Sequence, residues 1–215
     1  MSVIDTQSEE RSEHPLDTVE RLAHLNDWSF ERSGDDEIAV KVEGRWTSYD
    51  VAFTWLDGIE ALHVACAFDL KIPERRRAEI ADLMTRINEQ LWIGHFDMWS
   101  ETDVVMFRHS LMLSGGVEPS GAQCEALMNL AIDTCDRHYQ AFQFVLWSGK
   151  SPEDALAVEG AASQLSVGSS AWRSGTTSRH SAAPRTRSTR RRSRARSSHR
   201  DWWRRTTRQE PMSWW

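Results

Sequence analysis

Five residues have the types to do chemistry: His63, His95, Asp97, His109 and Ser110. In His95-Phe96-Asp97 the period of two puts an imidazole and a carboxylate on one face of a strand, which is how a catalytic dyad could begin. Hydrolysis also needs a nucleophile within hydrogen-bond reach of the base. Ser110 is predicted on the partner strand, three positions past the level of Phe96 toward the open end, so no triad is expected. A metal site could be drawn from His63, His95, Asp97 and His109, but tight ligand spacing is absent and His109 is expected on the face opposite His95. The sequence holds no G-x-x-x-x-G-K-[ST], G-x-G-x-x-G, G-x-S-x-G or H-E-x-x-H. Catalytic, metal-binding and cofactor-binding residues are therefore expected to be none, with this face a polar, solvated one.

Three cysteines, Cys66, Cys124 and Cys135, form no C-x-x-C pair. Met1 to Glu13 is polar and acidic, so no secretory leader is expected, and free thiols in a reducing cytoplasm follow. Each cysteine is expected as a small buried apolar group. No run of about 18 apolar residues offers a membrane span.

Charge divides the chain. Residues 1–165 hold 13 Lys+Arg against 30 Asp+Glu, or −17; residues 166–215 hold 13 Arg, no Lys and 2 acids, or +11. The acidic first part would repel phosphates, which argues against nucleic acid as its partner. The tail has 11 Ser, 6 Thr and 5 Trp but no Leu, Ile or Phe, too little aliphatic surface to fold alone. Such a composition is what a GC-rich gene yields when read out of frame. Taken as functional, its Arg190, Arg191, Arg192, Arg194 and Arg196 form a nonspecific anion-binding run, and the alternative function is a nucleic-acid-associated protein acting through that tail. The expected organisation is a disordered leader over 1–13, one domain over 14–165 and a disordered tail over 166–215.

The elements that must position these residues read clearly. Leu16, Val19, Leu22 and Ala23 mark a first helix opened by His14-Pro15. Four strands follow: Trp28–Arg32, then one carrying Ile38, Val40 and Val42, then Tyr49–Trp55, then one carrying Leu62, Val64, Cys66 and Phe68. Turn residues separate them by few positions, so the four form an antiparallel meander. A helix is predicted over about 73–92 from Ile80, Leu83, Met84, Ile87 and Leu91, with Arg75, Arg76 and Arg77 on a solvated face. A hairpin of His95–Trp99 and Val104–Leu111 follows, its register fixed by hydrophobic matching: Phe96 opposes Phe107 and Met98 opposes Val105. A long helix from about Pro119 to Trp147 carries an apolar stripe through Cys124, Met128, Cys135 and Phe142. Ser151-Pro152-Glu153-Asp154 caps a last helix. Helices between runs of strands, without βαβ alternation, give an α+β fold.

Six tryptophans fall before residue 165: Trp28, Trp46, Trp55, Trp92, Trp99 and Trp147. Most are expected in the core. Trp92 and Trp99, at the ends of elements, are the candidates for facing a partner.

Four stretches carry a family resemblance: Cys66 to Pro73, Ile87 to Asp97, Val105 to His109, and Gln143 to Trp147 running on through Ser151-Pro152-Glu153. Over roughly 15–157 the chain resembles the YbjN-domain family of bacterial sensory transduction regulators. The resemblance implies an antiparallel sheet backed by helices, similar to type III secretion chaperones, and pairing into a homodimer. It carries over no site residue. The combined expectation is a non-enzymatic cytoplasmic regulator or chaperone-like domain that binds a protein segment and needs no cofactor.

Overall fold

The structure is a computed structural model that describes residues 13–99 and 102–166. The leader up to residue 12 and the tail from residue 167 lie outside the described residues, and so does the Arg190–Arg196 run.

The apolar stripes and short turns resolve into helix α1 (Pro15–Leu25), strands β1 (Ser29–Arg32), β2 (Glu37–Glu43), β3 (Ser48–Leu56) and β4 (Ala61–Lys71), helix α2 (Arg77–Asn88), strands β5 (His95–Trp99) and β6 (Val104–Met112), and helices α3 (Gly121–Ser148) and α4 (Pro152–Ser166). The six strands make one antiparallel sheet in the order β1-β2-β3-β4-β6-β5. The fold is α+β, as expected. The predicted hairpin register holds, with Phe96 opposite Phe107 and Met98 opposite Val105.

The hairpin joins the meander through β6, which lies against β4 and pairs His63 with Ser110, Val64 with His109 and Cys66 with Phe107. That pairing crosses more than forty residues of chain, so no local pattern announces it. The predicted helix over 73–92 is shorter at both ends. Residues 74–76 form a 3-10 turn, and the helix stops at Asn88, whose side chain accepts from the Phe96 amide at 2.8 Å and donates to the Phe96 carbonyl at 2.9 Å. A side chain busy pairing a neighbouring strand ends the helix that carries it.

One face of the sheet is sealed. α1 covers β2 and β3, and α3 runs across β3, β4 and β6 with α4 and α2 beside it. Phe68, fully buried on β4, lies at the centre of the apolar interior, with ring centroids 5.0 Å from Phe142, 5.6 Å from Phe96 and 5.6 Å from Tyr139. Tilted and edge-to-face pairs of this kind add stability beyond the area they bury. Cys66, Cys124 and Cys135 are free and buried in this interior, and burial pushes the thiols of Cys124 and Cys135 up. They act as packing groups.

α3 is tied to the β2–β3 turn by Asp136. Its Oδ1 accepts from the Tyr49 hydroxyl at 2.8 Å, its Oδ2 from the Arg45 amide at 2.7 Å, and its carbonyl from Trp46 Nε1 at 3.0 Å. Burial, then the Asp136 carboxylate, hold the Tyr49 phenol well above its ordinary pKa. Gly44 fits here because a Cβ would collide with the Tyr49 ring and approach Asp136 Oδ1 within 2.8 Å.

Of the six tryptophans, only Trp55 is buried. Trp28 packs half-buried against the core and Trp99 is half-buried, while Trp46, Trp92 and Trp147 are exposed. The expectation of mostly core tryptophans is therefore corrected. Phe and aliphatic side chains, not indoles, fill the interior.

Replacing Asp136 with Ala leaves the buried Tyr49 hydroxyl and the turn amide unpaired, and should lower unfolding stability by about 2–3 kcal/mol in urea denaturation. A change below about 0.5 kcal/mol would show that the clamp is dispensable.

Candidate binding surface

The opposite face of the sheet carries no helix among the described residues. Cross-strand pairing sets its residues in rows: Glu37, Thr54, His63 and Ser110; then Ala39, Ala52, Ala65, Arg108 and His95; then Lys41, Asp50, Ala67, Met106 and Asp97. Small alanines occupy the middle row, with Glu37, Lys41, Asp50 and Thr54 toward β2 and β3 and His63, His95, Asp97, Arg108 and Ser110 toward β5 and β6.

At the end where β5 begins and β6 finishes, a concavity of about 380 Å³ is lined by His63, Gly94, His95, Arg108, His109 and Ser110. Sequence reasoning put His109 on the face opposite His95. Alternation does hold along β6, since His109 pairs with Val64 of the sealed face. Yet β5 stops at His95, so the edge of β6 beyond Arg108 has no neighbouring strand and the concavity gathers His109 with His95. Gly94 makes this close approach possible: its φ is +71°, and a Cβ there would strike the Phe107 ring.

Arg108 organises the site. Its Nη1 donates to Asp97 Oδ2 at 2.9 Å and its Nε donates to His63 Nε2 at 3.2 Å. A guanidinium can only donate, so His63 accepts at Nε2 and carries its proton on Nδ1. Burial, then the charge of Arg108 and the neighbouring imidazoles of His95 and His109, push the His63 pKa down to about 4. Burial and His95 lower the pKa of His109 as well. Asp97 Oδ1 meanwhile accepts from the Met98 amide at 2.8 Å.

This arrangement is not a catalytic triad. The Asp97 carboxylate is bound to Arg108 and Met98, and among the described residues no hydrogen bond joins His95 to Asp97 or to Ser110. Nor do three or more His, Cys, Asp or Glu side chains converge in a way that could hold a metal ion, among the described residues. What the residues offer is a set of hydrogen-bond donors around one fixed positive charge.

Trp92 and Ile93 sit immediately before Gly94, in the loop between α2 and β5. Trp92 is 100 % exposed and Ile93 52 %. Leu56, Ile59 and Met112, at the neighbouring ends of β3, β4 and β6, are also exposed. A fully exposed indole flanked by further apolar side chains is unusual for a surface with no partner. Trp99, the other candidate, ends β5 opposite Val104, so the two tryptophans stand at opposite ends of one strand. The expected solvated face of Arg75, Arg76 and Arg77 includes acidic partners: Arg76 binds Glu79 at 2.9 Å, and Arg77 binds Glu74 and Asp103, each at 3.2 Å.

Comparison with known proteins decides the family. The family model described as "Putative bacterial sensory transduction regulator", YbjN, matches residues 15–144. The chain belongs to the YbjN family. Among solved structures it is similar to YbjN from E. coli, described as a "putative transcription regulator", at 13 % identity and TM-score 0.42, covering 56 % of this chain and 85 % of that one. It is also similar to a chain of the ExsC–ExsE complex at 15 % identity and TM-score 0.39, covering 57 % of this chain and 91 % of that one. None of the curated proteins matches. The matched family segment takes in the whole sheet and most of α3, and stops short of α4. No helix among the described residues is long and apolar enough to cross a membrane.

The His63 pKa gives a signed prediction. His63 binds its proton more weakly folded than unfolded, so its contribution to stability is present above pH 6.5 and is lost as pH falls from 6.5 toward about 4. His63→Gln keeps an acceptor for Arg108 and should flatten that loss by roughly 2 kcal/mol in denaturation curves taken across this window. Parallel pH profiles for the variant and the natural chain would contradict the assignment.

Proposed function

We propose that this YbjN-family domain is a non-enzymatic cytosolic regulator, chaperone-like in that it acts by holding a segment of another protein. The observation that carries the reading is the fully exposed Trp92 beside half-exposed Ile93, at the end of the sheet where Leu56, Ile59 and Met112 are also uncovered. An indole contributes most to binding when a partner closes over it, and contributes nothing to folding where it touches nothing. The family's description as a regulator is consistent with a binding role. The donor-rich concavity beside the loop would orient the partner, and the acidic charge of residues 1–165 would select against nucleic acid. A homodimer formed through another surface would present two such sites.

Proteins captured by the folded chain from its native lysate should then be titrated against the natural chain and against Trp92→Ala. Affinity should fall at least about tenfold with the thermal midpoint unchanged. Unchanged affinity in a stably folded variant would remove Trp92 from the interface and with it this reading.

A further inference from the structure

We propose that the concavity between β4, β6 and the start of β5 is an oxyanion site, anchored by Arg108 and coupled to proton uptake by His109. It takes a carboxylate, phosphate or sulfate group. The concavity is the one that the partner reading also uses, but the two are tested apart, because this ligand is a small ion and its residues exclude Trp92.

The lining explains the choice. Arg108, His63, His95, His109 and Ser110 all bring N–H or O–H donors, and no carboxylate lines the space. Arg108 is held in place at both Nε and Nη1, which leaves Nη2 without a hydrogen bond among the described residues. A guanidinium fixed in this way presents a pre-ordered donor to an oxyanion. His63, through its bond to Arg108, is a positioning residue with its Nδ1 proton available to donate.

Every charged and titratable group facing the site can be named. β4 supplies His63, β5 supplies His95 and Asp97, and β6 supplies Arg108 and His109. Asp97 offsets the Arg108 charge through a 2.9 Å ion pair, so with neutral imidazoles the cluster is close to electrically balanced. Protonating His95 or His109 makes it positive. Burial, Arg108 and the neighbouring imidazoles disfavour the protonated form of His63, burial and His95 disfavour that of His109, and a bound oxyanion would oppose this. Anion affinity therefore rises as pH falls through the imidazole range.

Sulfate is the appropriate first probe, since its charge stays constant where histidines titrate. Sodium sulfate is added to the full chain at about pH 6, against sodium chloride at matched ionic strength. Proton NMR follows the Cε1 protons of His63, His95 and His109, assigned from single His→Gln variants. The expected result is a saturable shift of the His95 and His109 signals and a higher His109 pKa. Binding should weaken by about tenfold from pH 5.5 to 7.5. Arg108→Gln should weaken it at least about tenfold, and if that variant fails to fold, His109→Gln should remove most of the pH dependence. Trp92→Ala should bind sulfate as the natural chain does, which separates this result from the fate of the partner reading. Acetate in a parallel titration distinguishes a planar carboxylate preference from a tetrahedral one. Shifts that are linear in concentration and equal in sulfate and chloride would overturn the proposal, and so would an Arg108→Gln variant that binds undiminished.

Discussion

The packing of α3 against Phe68 is the constraint on which the rest depends. Phe68 is fully buried and meets Phe96, Tyr139 and Phe142 in tilted or edge-to-face contact, so strands β4 and β5 and helix α3 share one set of rings. Truncating a ring of this size in a closed interior typically costs about 3–5 kcal/mol, a large part of the margin by which a domain stays folded. These rings draw one face of the sheet onto the helices, while the other face carries alanines, Met106 and polar groups. Arg108 and His95 stand one residue along the chain from Phe107 and Phe96, and the same pleat that buries the rings exposes the donors.

Asp136 and Gly94 show how this arrangement is held in register. Asp136 receives the Tyr49 hydroxyl and the Arg45 amide, so the β2–β3 hairpin cannot slide along α3. Gly94 lets β5 begin tight against Phe107, and beyond Arg108 the outer edge of β6, paired only with β4, borders the concavity. Gly94 lines the concavity itself, whereas Asp136 acts only through Tyr49 and the β2–β3 turn.

Much of this was legible in the sequence wherever the signal was periodic. The alternation of Tyr49, Val51, Phe53 and Trp55 predicted β3, and matching apolar residues across the hairpin predicted the pairing of Phe96 with Phe107. Ser151 caps α4 and Pro152 opens it, as their order in the sequence predicts. The pairing of β4 with β6 was not legible, because hydrophobic strands alternate alike whichever neighbour they choose. His63 therefore could not be placed beside Arg108 and Ser110 from spacing alone. His109 was separated from His95 by a rule that holds within a ladder and lapses at its end. Most of the tryptophans, Trp92 and Trp99 apart, are expected in the core because indoles usually bury area, whereas here Phe68, Phe96, Phe107 and Phe142 already fill the space.

The proposed partner would land on the end of the sheet bearing Trp92, Gly94 and the concavity, rather than on the helices behind it. Hydrogen–deuterium exchange on the chain with a captured partner tests this directly. Slowed exchange confined to residues 91–95 and 108–112, with α1 unchanged, is the result this structure predicts. Protection spread over α1 or the outer side of α3, with residues 91–95 exchanging as in the free chain, would contradict it.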